Sequence, residues 1–361
     1  MATGGQQVSA KKLQVVVMMG GPSSEHDVSM ASGSEVFKAL ENTGRFEVKA
    51  VVISREGQWS LVSAAPQALA RPGEAQDRPM PRAAAIQGIP LLSDADVVFL
   101  AFHGPFGEDG TLQGLLKSLS IPYTGSGPLA SALAMDKAKA KELFRYHGLT
   151  TPRDVSLTST AIRGSIANAV AAIEANLSYP VVVKPNLGGS SLGVNIAEST
   201  AELESALTWA SRFDADVLVE ERISGRELTC AVIEEVDGGV RALPVIEIVP
   251  HRGKFFDFAS KYEDGGSDEI CPADLSEEES HAVQEAAIQA HRALGCRGFS
   301  RTDIFLTVHG GPVVLETNTI PGMTPNSLLP KAAKAAGMSF ADLMAHLVLV
   351  ALQGTPSGDS A

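Results

Sequence analysis

The sequence is short of cysteine, of aromatic residues and of positive charge, and each shortage removes a class of protein. Its three cysteines, Cys230, Cys271 and Cys296, are widely spaced and form no CxxC pair. That argues against a disulfide framework or a cysteine-built zinc site, and a reducing cytoplasm is the expected compartment. Lys and Arg number 29 against 42 Asp and Glu, a formal charge of −13. The sign is wrong for a general nucleic-acid binder, so no nucleic-acid partner is expected. No apolar run approaches the roughly 18–20 residues of a membrane helix, and no apolar signal core stands near the first residue, so no membrane partner is expected either. The glycine fingerprint GxGxxG and the phosphate loop GxxxxGK[ST] are both missing, which argues against a nicotinamide dehydrogenase and a P-loop enzyme.

What is present is ordinary globular composition: 361 residues, 44% hydrophobic and 20% charged, with 34 Gly and 20 Pro. That length suggests two or three domains and supports sizeable cores. Short β-rich runs alternate with longer amphipathic stretches, the pattern of α/β layers with parallel sheet. Leu13–Met19 reads as a strand buried on both faces. A helix is expected from about Val28, with Ser29, Ser32 or Ser34 serving its first turn. Strands are expected at Glu47–Ile53 and Asp96–Phe102, a helix at Leu112–Leu119 and a short strand at Ile121-Pro122-Tyr123. The Pro/Ala-rich Ala64–Ile89 reads as a surface insertion. Beyond it come a helix over Asp136–Tyr146, closed by Gly148, and a hairpin of Val181–Val183 with Val194–Ile196 around a Gly/Ser-rich tip. Val217–Val219, Leu228–Glu234 and Ala242–Val249 read as strands, and Glu277–Leu294 as a helix. His251–Pro272 is too long for an idle connection and reads as a lid or a disordered loop.

Four constellations carry chemistry. Residues two apart share one face of a strand, so Arg301 lies with Asp303 and Glu316 with Asn318. A two-residue turn at His309-Gly310 sets Asp303 opposite Glu316; a turn at Gly310-Gly311 sets it opposite Asn318. Either register gathers two carboxylates, an amide and a guanidinium. Two acids that close repel unless a cation lies between them, and all-oxygen ligation suits a hard ion such as Mg²⁺. Gly188–Gly193 can present bare N–H groups to phosphate, with Lys184 just before it. His103 follows an apolar strand, where open α/β sheets place ligands; Glu108 and Asp109 beside it read as acids favouring a helix start. Glu220, Glu221 and Glu227 flank Ser224-Gly225, three acids suited to ribose hydroxyls, an ammonium or a base amine.

These segments together resemble the D-alanine–D-alanine ligases of the ATP-grasp superfamily. The resemblance rests on Gly20–Ser29, His103–Gly114, Ile121–Lys137, Val183–Val194, Val219–Glu227, Lys261-Tyr262, Arg301–Asp303 and Glu316–Pro330, in the family's order and spanning about residues 13 to 352. It implies an α/β fold: an N-terminal parallel-sheet domain (13–128), then a two-lobed ATP-grasp fold with a central lobe (129–221) and a C-terminal lobe (222–352), between flexible tails at 1–12 and 353–361. It implies an ATP-dependent ligation in which a first D-alanine is phosphorylated on its carboxylate and a second attacks through its amine, for peptidoglycan synthesis.

Position by position, the resemblance implies that Lys137 and Lys184 contact phosphate, with Ser190, Ser191 and Lys261 also at the nucleotide. Glu220, Glu221 and Ile223 match the adenine segment and Glu227 the ribose acid. Asp303, Glu316 and Asn318 match ligands of two Mg²⁺ or Mn²⁺ ions. Glu25 matches the acid holding the first ammonium, Arg301 and the Gly322 amide the oxyanion donors, and His103 a neighbour of the same carboxylate. Ser190 and Tyr262 match groups bonded with Glu25, while Lys261, Ser327 and Leu328 match the second substrate's site. A homodimer is the family expectation. Glu221 and Arg222 stand where the family commonly carries Lys and an aromatic residue. The rivals are another ATP-grasp carboxylate–amine ligase, a ligase taking D-lactate second, and a catalytically silent nucleotide-binding or scaffold protein, against which the set Arg301, Asp303, Glu316 and Asn318 argues.

Overall fold

A computed structural model of the chain describes residues 11–63, 80–188, 193–250, 267–308 and 310–353. Ser190, Ser191, Lys261 and Tyr262, most of the expected lid and most of the Ala64–Ile89 insertion lie outside the described residues.

The first layer is built from β1 (Leu13–Gly20), α1 (His26–Asn42), β2 (Phe46–Ile53), β3 (Trp59–Val62), α2 (Arg82–Gly88) and β4 (Val97–Leu100). The strand order is β3-β2-β1-β4, with β1 parallel to both β2 and β4. Val15 to Met19 are fully or almost fully buried, as a strand covered on both faces requires. The end of the presumed insertion is in fact ordered, since α2 and a following 3-10 turn (Ile89–Leu92) pack beside Trp59. Ile121-Pro122-Tyr123 forms a single bridge, Tyr123 to Val98, rather than a strand. At the carboxyl end of β1 the chain turns through Gly20 at φ 90°. A Cβ there would sit 2.2 Å from the Ile53 carbonyl, so only glycine fits. Ligands of open α/β sheets gather at such strand ends, and here the ends of adjacent β1 and β4 lead to Glu25 and His103.

Helices α3 (Thr111–Ser118), α4 (Pro128–Met135) and α5 (Lys137–Tyr146) follow. Asp136 caps α5 by accepting from Lys139 N, and Gly148 closes it at φ 82°. A small lobe then forms from β5 (Asp154–Thr158), α6 (Ser159–Gly164), α7 (Ile166–Glu174), β6 (Val181–Pro185), β7 (Asn195–Ala197), α8 (Thr200–Ala210) and β8 (Asp216–Glu221). Its antiparallel order is β5-β8-β6-β7.

The large antiparallel sheet contains β9 (Arg226–Glu234), β10 (Val240–Ala242), β11 (Ile246–Pro250), β12 (Ser267–Ile270), β13 (Phe299–Thr307) and β14 (Gly311–Asn318), with α9 (Glu277–Leu294) against it. The order is β12-β11-β9-β13-β14, and β10 pairs with β9. The strand expected over Ala242–Val249 is thus broken in two around Pro244, which has no N–H to donate. The capping box of Ser276 and Glu279 starts α9, and Gly295 at φ 69° ends it.

Ala134, Ala140, Phe144 and Leu149 share a core with Leu228, Val283, Ala287 and Ile304. Residues 129–149, expected with the central lobe, therefore pack on the large sheet. Truncating Phe144, which is fully buried, would cost about 3–5 kcal/mol. The C-terminal helices α10 (Leu328–Ala335) and α11 (Phe340–Gln353) fold back to share a core with Val15, Val17, Phe37 and Leu40 of the first layer. Among the described residues no single helix is long and apolar enough to cross a membrane.

Candidate functional site

The centre of the site is the β13–β14 pair. Asp303 lies opposite Glu316 and Arg301 opposite Asn318, yet the connection from Thr307 to Gly311 is not the two-residue turn that gives this register directly. A bulge at Leu315, between the Ile304–Val314 and Asp303–Glu316 pairs, restores it. An extra residue re-aims the side chains that follow it, and it brings Glu316 round to the Asp303 face. Arg301 holds Asp303 in a fork, Nε to Oδ1 at 3.0 Å and a terminal amine to Oδ2 at 2.9 Å. Thr229, paired with Asp303 in β9, donates to Oδ1 at 2.7 Å. Asn318 Nδ2 stands 3.5 Å from Oδ2. Glu227 lies two residues before Thr229 and so faces the same side of β9.

Lys137, at the first turn of α5, reaches across to Glu316 with Nζ 3.5 Å from Oε2 and donates to the Gly188 carbonyl at 2.6 Å. Asn186 holds that helix end in place. Its Oδ1 accepts from Ala138 N at 2.9 Å and its Nδ2 donates to Asp136 Oδ1 at 2.8 Å. The chain from Lys184 to Gly188 is thereby tied to the start of α5.

Lys184 itself lies on β6, with Nζ 2.9 Å from Glu220 Oε2. The other oxygen of Glu220 meets Lys141 of α5, a lysine with no solvent exposure. Burial, and next the charge of Lys184, push the Lys141 ammonium well below the ordinary lysine range. Glu221 points elsewhere: its carboxylate accepts from Arg153 N and Nε, each at 2.9 Å, on the β5 side of the small sheet. Ile223 is half-buried in the link from β8 to β9.

The first layer supplies the other wall. Glu25 occupies the position before α1 and receives a bond on its own carbonyl from Ser29 N at 3.0 Å. Its Oε2 lies 2.9 Å from where a Cβ on Gly104 would be, directly over the loop after His103. Ser29 and Ser32, expected to serve the first turn, instead face inward. Ser29 Oγ accepts from Gly20 N at 2.8 Å and donates to the Ala101 carbonyl at 2.7 Å. Ser32 Oγ lies 3.1 Å from His103 Nε2 and accepts from Met323 N at 3.3 Å. Burial, and then the Arg301 charge, lower His103 to about 4, so its ring is neutral near pH 7.

Asp109 does serve the start of α3, accepting from Thr111 N at 2.9 Å and Phe106 N at 2.8 Å. Glu108 departs from the helix-entry reading. It folds back to accept from Gly104 N at 2.7 Å. Burial, then the Glu25 charge, raise its carboxyl to about 8. Gly322 and Ser327 adjoin one another, and Ser327 Oγ is 2.8 Å from Thr324 Oγ1. Leu328 is the first residue of α10.

The structure therefore joins Arg301, Asp303, Glu316, Asn318 and Lys137 in one group, Lys184 and Glu220 in a second, and Glu25 and His103 in a third that Ser32 links to the Gly322 loop. Thr229, Lys141, Ser32 and Glu108 are the members that sequence reasoning missed. Ser32 and Glu108 were placed only at helix starts, and Thr229 and Lys141 were not singled out. As a donor set, Asp303, Glu316 and Asn318 fit a hard divalent cation. The two facing carboxylates already have cationic groups against them, Arg301 and Lys137, in the absence of which they would repel.

The chain matches known proteins over nearly all of its length. The family described as "D-ala D-ala ligase N-terminus" matches residues 14–126, and "D-ala D-ala ligase C-terminus" matches residues 143–349. The D-alanine--D-alanine ligase of Leptospira interrogans serovar Lai is 41% identical over 351 residues, 94% of this chain and 98% of its own. That of Geobacter sulfurreducens is 42% identical over 342 residues, 94% of this chain and 95% of its own. Among solved structures, the VanG D-Ala:D-Ser ligase of Enterococcus faecalis superposes with a TM-score of 0.77 at 33% identity, over 94% of this chain and all of that one.

Proposed function

The chain belongs to the D-alanine–D-alanine ligase family, and from that premise we propose how its own residues divide the work of an ATP-dependent ligase joining two D-alanine molecules for peptidoglycan synthesis. The reaction has two steps. A carboxylate oxygen of the first D-alanine takes the γ-phosphoryl group of ATP, and the bond to the β-phosphate oxygen breaks, releasing ADP. The neutral amine of the second D-alanine then attacks the activated carbonyl; the C–N bond forms, the C–O bond to phosphate breaks, and the nitrogen gives up one proton, which ends on the released phosphate.

Glu25 holds the first ammonium, and His103 and Arg301 hold its carboxylate at the carboxyl ends of β1 and β4. Lys137 and Lys184 bind the ATP phosphates, Glu220 and Ile223 meet adenine, and Glu227 meets the ribose. Glu221 contributes through its backbone, since its side chain is committed to Arg153. Asp303, Glu316 and Asn318 would hold Mg²⁺ or Mn²⁺, which supplies charge neutralisation at the transferring phosphates. In the second step Arg301 and the Gly322 amide donate to the oxyanion of the tetrahedral adduct. Lys261, Ser327 and Leu328 receive the second D-alanine, and by the family resemblance Ser190 and Tyr262 bond with Glu25 while Ser190 and Ser191 meet the nucleotide. The family resemblance extends the reading to a cytoplasmic homodimer.

One observation carries this assignment: Asp303 faces Glu316 in register, with Arg301 on the first and Lys137 on the second. Phosphoryl transfer needs such paired acids and cations at one point. The test is ADP release measured with and without D-alanine, at varied Mg²⁺. Release that requires both supports the reading; release indifferent to D-alanine, or none, refutes it.

A further inference from the structure

Ser32 of α1 lies outside every role given above, yet it touches two segments of the site at once. Its side chain has no solvent exposure. The Oγ stands 3.1 Å from His103 Nε2 and accepts the Met323 N–H at 3.3 Å, and Met323 directly follows Gly322. Glu25 is the residue immediately before the same helix. One buried hydroxyl therefore connects the ammonium-holding helix, the His103 loop and the loop of the oxyanion amide.

The proton count on this hydroxyl is constrained. A backbone N–H only donates, so Met323 occupies one lone pair of Oγ and leaves the hydroxyl proton to be given elsewhere. His103 is neutral, held low by its burial and by Arg301, and a neutral ring carries a single N–H. A substrate carboxylate only accepts. His103 can hold one only if its proton sits on the nitrogen turned towards the substrate, and Nε2 is turned towards Ser32. The proton must then be on Nδ1, which leaves Nε2 a lone pair facing the Ser32 hydroxyl.

We propose that Ser32 is a positioning residue for the first substrate: its hydroxyl donates to Nε2 of His103 and fixes the ring as the Nδ1–H tautomer, while its lone pair seats the Gly322-Met323 backbone. The inference rests on the reading of His103 as a contact of the first D-alanine's carboxylate.

The direct test is long-range ¹H–¹⁵N correlation of histidine-labelled wild-type protein, with the His103 signals assigned by their loss in His103→Gln. The expected result is the Nδ1–H tautomer without any substrate present. In Ser32→Ala the ring should populate both tautomers, and KM for the first D-alanine should rise about tenfold, the upper range for one hydrogen bond, with KM for ATP changed less than about twofold. Ser32→Thr, which keeps the hydroxyl, should restore the Nδ1–H tautomer. An Nε2–H tautomer in the wild type overturns the proposal, as does a Ser32→Ala variant in which both KM values rise together. Failure of the ligase reading would show differently, as wild-type protein that releases no ADP with D-alanine whatever the tautomer.

Discussion

Lys137 and Glu316 stand 3.5 Å apart, Nζ to Oε2, and they join the start of α5 to the last strand of the large sheet. The same ammonium donates to the Gly188 carbonyl, so one lysine spans the entrance to the glycine-rich tip and the acid pair. Lys137→Met keeps the bulk of the stem and removes the charge. Turnover should fall by about 10²–10³, the usual cost of one preorganised donor at a charge-developing centre, and KM for ATP should rise. Unchanged steady-state constants for ATP would show that Lys137 does no more than tie the loop.

Asp303→Asn should leave the fold intact, because the amide oxygen still accepts from Thr229 or Arg301 where the carboxylate now takes four bonds. The loss is of charge at the face proposed to hold the cation. ADP release should drop at least about a hundredfold, and the Mg²⁺ needed for half-maximal residual rate should increase. A folded variant with the wild-type Mg²⁺ titration would contradict the assignment of Asp303.

Lys141→Met addresses the buried trio of Lys141, Glu220 and Lys184. On the proposed reading, Glu220 keeps Lys141 beside it in the wild type when Lys184 turns to phosphate. With Met at 141, Lys184 becomes the remaining partner, and leaving it would strand a buried carboxylate, which breaking one half of a buried pair makes costly by about 3–5 kcal/mol. Calorimetry should show ADP and ATP binding weakened more than tenfold, with the first D-alanine site little affected. Nucleotide affinity equal to wild type would sink this account of Lys141.

The His103 ring gives stability a sign with pH. Its value is about 4 in the folded chain against 6.5 when unexposed groups are released. Between those values the unfolded chain binds a proton that the folded chain refuses, so stability falls as pH drops from 6.5 towards 4, by about 3 kcal/mol when complete. Glu108 acts in the opposite direction. Its carboxyl, raised to about 8, stays protonated in the fold while the unfolded chain ionises from about 4.5, and stability declines as pH rises towards 8. Urea unfolding of wild type and His103→Gln from pH 7 to pH 4 should show the wild type losing its relative stability over that range. A constant difference between the two would contradict the buried, neutral ring.

The alternation in Arg301–Asp303 and Glu316–Asn318 made the acid pair legible in the sequence, because a period of two assigns faces without knowledge of the fold. The bulge at Leu315 was not legible. Nothing in Val-Val-Leu-Glu announces an extra residue, and the register came out as one of two alternatives. The end of α5 was legible locally at Gly148, and the helix expected over Glu277–Leu294 came out with those bounds, set by Ser276 and Gly295. Which sheet α4 and α5 would cover was not legible, since an apolar helix face does not name its partner. Ser32 and Lys141 escaped for one reason. A serine or lysine on a helix ordinarily faces water, and only the tertiary arrangement supplies the His103, Met323 and Glu220 groups that make burial tolerable. Glu108 was half read: the acid pair before α3 looked like one helix-entry signal, but only Asp109 serves the helix.

Product identity tests the central claim most directly. Protein is given ATP, Mg²⁺ and equimolar D-alanine, D-serine and D-lactate at neutral pH, and the products are separated and weighed by mass spectrometry. The account predicts D-alanyl-D-alanine as the dominant product, formed one-for-one with ADP. Dominant D-alanyl-D-serine or D-alanyl-D-lactate, or ADP formed without any dipeptide, would contradict it.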